Sequence, residues 1–265
     1  GCLAAACAQH WGWRSAFYVP GVIALLGAMY LFWRMRDTPQ SEGLPPVEEY
    51  KNDWPPEETE RHERELSFRE LFLRYILPNK MLWVLAFANI FVYIARYAMV
   101  DWGPTYLKEV KGASLVGGGV STLVIELSGA AGMIVMGLIS DKIGGRRARL
   151  SALAMLPLPL AFLALMHSNS LALTYLLFGI IGFFVYTPVT FSGVVALDLT
   201  SKKAQATAAG FVGMFGYVGG RVIQGLGLGF LAQHYGWDAA LYAVIGCIAL
   251  GFVLLAFLWN VRPRG

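Results

Sequence analysis

Apolar runs of roughly membrane-spanning length follow one another along the chain. They lie at Ser15–Trp33, Met81–Tyr106, Val116–Ser140, Leu150–Met166, Leu171–Leu197, Ala208–Leu231 and Ala239–Trp259, separated by glycine, proline and charge clusters. About 20 apolar residues carry a helix across the bilayer core, so the pattern predicts seven spanning helices. Gly1 to Gln9 is apolar too, but it is too short to cross and begins without Met, and is expected to be the end of a helix that starts upstream.

The one substantial hydrophilic interruption is 34–80, with 11 acidic and eight basic residues and prolines clustered before Glu57. Its first half is predicted to be an irregular linker. Its second half carries the capping box Ser67-Phe68-Arg69-Glu70, with Leu66 and Leu71 at the hydrophobic-staple positions. A short helix is expected near 67–78, leading into the next span. The expected fold is an all-α polytopic membrane protein: residues 1–33 end one group of helices, 34–80 form the linker, and 81–265 make a complete six-helix bundle.

Composition fits this plan. Hydrophobic residues make up 57% of the chain and charged ones 14%, with a mean hydropathy of +0.55, which excludes an ordinary soluble domain. The sequence pI near 9.0 does not signal nucleic acid, because the basic residues are placed by topology. Sixteen of the 21 lysines and arginines fall on one predicted side, in 34–80 and at Lys142, Arg146, Arg147, Arg149, Lys202, Lys203, Arg262 and Arg264. Only Arg14, Lys108 and Lys111 fall on the other. By the positive-inside rule, the linker and the C-terminus are expected in the cytoplasm. The apolar runs are full spans without a basic leader, so no signal peptide is predicted. Cys2, Cys7 and Cys247 have no ligand spacing, and neither a disulfide framework, a metal nor another cofactor is expected. No nucleophile–base cluster converges at one depth and no phosphate-binding G-x-x-x-x-G-K-[ST] loop is present, which argues against an enzyme and an ATP-driven pump.

Candidate chemistry begins at Arg96, in the middle of Met81–Tyr106. A guanidinium at that depth costs at least ~2.5 kcal/mol, and such residues mark ion or anion pathways or structural ion pairs. At 1.5 Å per residue, Glu126, Tyr186, Tyr217 and Arg221 reach similar depths, and Tyr93 shares the face of Arg96. Asp101 is five residues after Arg96, about 140° round the helix, too far for a good intrahelical pair. It is expected to answer a basic residue outside this chain. The 30 glycines cluster inside spans, at Gly129, Gly132 and Gly137 and from Gly213 to Gly229. Small residues three or four apart let helices approach closely in lipid.

Gly137-Leu-Ile-Ser-Asp141-Lys142-Ile-Gly144-Gly145-Arg146-Arg147 resembles the loop motif of the major facilitator superfamily. Gly137 suits close packing there, and Asp141, Lys142, Arg146 and Arg147 suit charge pairing that gates the junction. A longer resemblance runs through Arg36–Asp53, Leu77–Lys80, Tyr93–Lys111, Gly210–Gly220 and Tyr235–Asp238, and is to the organophosphate:phosphate antiporters of that superfamily. It implies a twelve-helix fold of two halves, of which this chain holds the end of helix 5, helix 6 and helices 7 to 12. It also implies a bacterial inner-membrane carrier that exchanges inorganic phosphate for glycerol 3-phosphate or a related organophosphate by alternating access. In that family two arginines, one from each half, hold the phosphate. Arg96 matches the second; its partner and a helix-five histidine would lie in the missing N-terminal half, and His10 is not that histidine. Tyr93, Glu126, Tyr186 and Tyr217 match polar residues lining the cavity.

Arg221 departs from the family pattern, where the glycerol-3-phosphate carriers have a small residue. It either adds positive charge for a phosphoglycerate or a differently bound hexose phosphate, or it snorkels or pairs with Glu126. The same branch includes transporter-like receptors of external sugar phosphate, which is the second reading of the function.

Overall fold

The computed structural model describes residues 2–36, 42–45, 50, 67–201 and 204–261. Most of the 34–80 linker, with Leu66, therefore lies outside the described residues. The helices are α1 (Cys2–Trp11), α2 (Ser15–Arg34), α3 (Phe68–Leu71), α4 (Lys80–Asp101), α5 (Gly103–Lys111), α6 (Leu115–Lys142), α7 (Arg147–Met155), α8 (Pro157–His167), α9 (Leu171–Asp198), α10 (Gln205–Met214) and α11 (Arg221–Phe257).

Local chemistry sets the ends of these helices. The Ser67 amide donates to the Glu70 carboxylate at 2.9 Å and the Glu70 amide donates to the Ser67 hydroxyl at 3.4 Å, the reciprocal capping box that starts α3. A π-turn, Phe72–Ile76, carries the segment on. Asn79 caps α4 by accepting from the Leu82 amide, and its own amide donates to the Leu199 carbonyl at 2.9 Å, tying the start of α4 to the end of α9. The predicted Met81–Tyr106 run is divided at Trp102, where Pro104 enters the first turn of α5 and its missing N–H costs nothing. Pro157 likewise starts α8, so the run at 150–166 is two helical pieces crossing as one.

Among the described residues, six helical stretches are long and apolar enough to cross a membrane. The last, Gln205–Phe257, runs for 53 residues. At 1.5 Å per residue it would be about 80 Å long, far beyond a hydrocarbon core of about 30 Å. Gly236, with φ 86° and ψ 169°, breaks it into two crossings, between the two runs that hydropathy separates. A second irregularity, the π-turn Phe215–Gly220, joins α10 to α11.

The bundle is organised around α4 and α9, the spans most enclosed by their neighbours, with α6 and α10 beside them. Leu85, Val92, Phe162, Phe178, Ile181, Val185, Val244 and Ile248 form part of its core. Glycines bring the backbones together at two seams. On the first, Gly132 of α6 faces the Phe183 backbone and Gly182 of α9 faces Ile125. On the second, Gly216, Gly219 and Gly220 lie against Asn89, Ile90 and Tyr93 of α4. Gly137 behaves differently: a Cβ there meets nothing within 4 Å among the described residues, so the close contact expected of it is not made within this bundle. Helix α1 packs on α6 and buries Cys7, whereas α2 buries no residue.

Candidate functional site

Arg96 projects from the C-terminal third of α4 into a nest of tyrosines. Its guanidinium stands 4.7 Å from the ring centre of Tyr186, 5.2 Å from Tyr97 and 6.0 Å from Tyr93. Nη2 donates to the Tyr186 hydroxyl at 3.1 Å and lies 3.9 Å from a Glu126 carboxylate oxygen. The Nε donor is buried and has no partner among the described residues. Buried donors are normally satisfied, so the guanidinium is not saturated by the described residues.

The helices that meet here explain how the site is held. Tyr93 stands against Gly216 and Gly220, where a Cβ would lie 2.7 Å from tyrosine carbons. Tyr186 stands against Gly129 in the same way. The tyrosine rings thus occupy space that only glycine leaves on the facing helices. Tyr217, half exposed, packs edge-on to Tyr93 with ring centres 4.9 Å apart.

A second cation completes the face. Arg221 lies 4.6 Å from the ring centre of Tyr97 and 3.5 Å from an Asp101 carboxylate oxygen. Positions 93, 97 and 101 follow one another at four-residue intervals along α4, opposite Tyr217 and Arg221. Among the described residues, Asp101 thus has its ion pair with Arg221, and no ion pair joins Arg221 to Glu126. The physical reason is the π-turn: its wider i→i+5 turn resets the helix angle just before Arg221 and aims it at α4. Tyr97, shared by both arginines, is a site residue that depth alone did not single out; its signal was its place beside Arg96 and one turn after Tyr93.

At the far end of α6, the structure separates the motif residues. Arg147 pairs with Asp198 at the end of α9, at 3.1 Å, rather than with Asp141. Asp141, Lys142 and Arg146 form no ion pair among the described residues. The turn Gly144-Gly145, with φ of 75° and 70°, directs the chain so that Arg147 faces α9. Asp198 was legible only as an acidic helix end.

The described residues hold no group of three or more His, Cys, Asp or Glu suited to a metal ion. What the site offers is one enclosed arginine with a donor unpartnered among the described residues, a second arginine beside it, four tyrosines and two carboxylates. These groups are chemically suited to hold an anion within a helical bundle.

A profile of the Major Facilitator Superfamily matches residues 1–223. The chain belongs to this superfamily. It is 41% identical to the glycerol-3-phosphate transporter of Bacillus subtilis over 95% of the chain and 57% of that protein. It is 34% identical to the membrane sensor protein UhpC of Escherichia coli, over 98% of the chain and 60% of the relative. Its identity to the hexose-6-phosphate:phosphate antiporter of Salmonella typhimurium is 33%, over 90% and 53%. The chain thus spans somewhat more than half the length of these relatives, and it is a bacterial multi-pass membrane protein.

Proposed function

We propose that the protein carrying this chain is a secondary antiporter that exchanges inorganic phosphate for glycerol 3-phosphate or a related organophosphate by alternating access. The observation that carries this reading is Arg96, enclosed among tyrosines with a buried N–H that has no partner among the described residues. A guanidinium presents paired donors matched to phosphate oxygens, and tyrosine hydroxyls supply further donors without adding charge. A phosphate dianion requires more than one cation to leave water at tolerable cost, and the second arginine is assigned to an N-terminal six-helix half that closes the cavity. Glu126 holds Arg96 in place of the anion when the site is empty and yields it when phosphate arrives.

The distribution of basic residues supports placing 34–80 and the C-terminus in the cytoplasm of a bacterial inner membrane. There the Arg147–Asp198 pair ties the α6–α7 junction to α9. Asp141, Lys142, Arg146 and Gly137 are assigned to contacts with the other half in the closed state. The domain division is 1–33, 34–80 and 81–265, with the linker joining two rocking halves.

The similarity to a membrane sensor favours a second reading, in which the same cavity recognises external sugar phosphate without net flux. One assay separates the two. The complete gene product is reconstituted in liposomes loaded with phosphate or an ester, and labelled-phosphate exchange is followed for the native protein and Arg96→Lys. Ester-dependent exchange that disappears with lysine supports the antiporter; binding without flux supports the sensor. Exchange that survives Arg96→Lys overturns the phosphate-site assignment, because lysine keeps the charge and loses the fork.

A further inference from the structure

Gln224 is 1% exposed, and neither its Nε2 nor its Oε1 has a hydrogen-bond partner among the described residues. Both atoms are cut off from the molecular surface, so no group outside the bundle, the other half of the protein included, reaches them in this arrangement. An unpaired buried amide is costly. The residue just before it is Ile223, which would fill the same place without that cost. The register of this helix against its neighbours is therefore opposed by its own sequence.

The means of changing that register lies just upstream. The π-turn Phe215–Gly220 takes up one residue more than an α-helical path, with the Arg221 amide donating to the Gly216 carbonyl. If the turn moves along the helix to Gly225–Gly227, the residues it passes rejoin α10 in continuous α-helix, rotated by about 100° and advanced by about 1.5 Å. Each then holds the place of its successor. Ile223 enters the buried place of Gln224, and Gln224 moves to that of Gly225, where a Cβ meets nothing within 4 Å among the described residues. Gly219 enters the place of Gly220, where a Cβ would stand 2.7 Å from the Tyr93 Cβ and 2.8 Å from the Ile90 carbonyl oxygen. Only glycine fits there, and the tandem Gly219-Gly220 supplies one in both registers. Against the gain at Ile223 stands the loss of the 3.5 Å contact between Arg221 and Asp101. The movement is bounded at both ends. Upstream, Asn89 donates to the Val212 carbonyl at 2.9 Å, and Phe211 and Phe215 pack on Trp83 with ring centres 5.0 and 5.8 Å away. Downstream, a Cβ at Gly229 would lie 3.0 Å from the Trp102 ring, so Leu228 cannot take that place.

We propose that residues 219–224 form a one-residue register switch, worked by migration of the π-turn between these two anchors, with the unpaired Gln224 amide keeping the present register close in free energy to the alternative. Its part in the transport cycle rests on the antiporter reading and deepens it. The switch acts inside one six-helix half, not between halves, because the glycine seam lets the helix turn against α4 without separating from it.

Three measurements on the complete gene product test this: thermal unfolding and hydrogen–deuterium exchange in detergent, and labelled-phosphate exchange in liposomes. Gln224→Leu fills the buried place without an amide. It should raise the unfolding temperature, slow amide exchange over 215–225 and slow phosphate exchange about tenfold, the worth of one unpaired buried group. Gly219→Ala barely disturbs the present register, since its Cβ meets only the Ile90 side chain, at 3.2 Å, but it bars the alternative one. It should slow the same two exchanges with little change in unfolding temperature. Gly246→Ala, whose Cβ meets nothing within 4 Å, controls for helix propensity and should leave both exchanges at the native rate. A lowered unfolding temperature in Gln224→Leu would show that the amide is satisfied, as by an enclosed water, and overturns the switch. Native amide exchange over 215–225 in Gly219→Ala overturns it as well. Absence of phosphate exchange from the native protein, with the amide exchange as expected, overturns the antiporter reading and leaves the switch standing.

Discussion

A methyl group added at Gly129 would stand 2.5, 2.7 and 2.9 Å from the Cδ2, Cγ and Cε2 atoms of Tyr186. Carbon atoms in contact prefer about 3.5–4.0 Å, so Gly129→Ala requires about 1 Å of relief. Separating α6 from α9 would give it, but their backbones already meet at Gly132 and Gly182, and opening that seam would sacrifice packing along both helices. The ring is the softer element. Its hydroxyl accepts from Arg96 at 3.1 Å, and a shift of about 1 Å takes that contact past hydrogen-bond range. Loss of a hydrogen bond to a charged group is worth about 1.5–3 kcal/mol, and the freed guanidinium must then be ordered by the anion itself. Phosphate affinity should therefore fall about tenfold or more, and overpacking should cost about 1–3 kcal/mol of stability. Isothermal titration with inorganic phosphate and thermal unfolding, both in detergent, measure the two effects. Gly246→Ala is the control, since a Cβ there meets nothing within 4 Å. Phosphate affinity within twofold of native in Gly129→Ala, despite lowered stability, would refute the claim that the ring's position holds the arginine.

Two further outcomes are expected. Asn89 is buried and its amide donates at 2.9 Å to the Val212 carbonyl, just ahead of the Phe215–Gly220 π-turn; Asn89→Ala should cost about 1–3 kcal/mol and speed amide exchange across 212–220 but not across 171–198, as read by hydrogen–deuterium exchange. Asp198→Ala should leave Arg147 uncompensated and lower the unfolding temperature, whereas the exchanged pair Arg147→Asp with Asp198→Arg should recover much of the loss; a double exchange no better than the single change would show that the contact contributes nothing.

Much of this protein is one-dimensional and so legible in its sequence. The bilayer demands about 20 apolar residues per crossing, and runs of that length, with glycine, proline and charge between them, identify the crossings before any contact is known. Depth is equally linear at 1.5 Å per residue, which is why Arg96, Glu126, Tyr186 and Tyr217 could be placed at one level. The capping box at Ser67 and Glu70 is also local, made by side chains three residues apart. What hydropathy does not encode is the angle of each helix about its axis, and partners depend on that angle. It took the packed bundle to place Tyr97 between two arginines, to turn Arg221 onto Asp101 through a π-turn, to give Arg147 to Asp198 rather than Asp141, and to leave a Cβ at Gly137 without a neighbour among the described residues. A π-turn or a glycine at φ 86° changes direction without changing composition. The charges of the cavity can therefore be counted along the chain, but which of them meet is settled only where the helices pack.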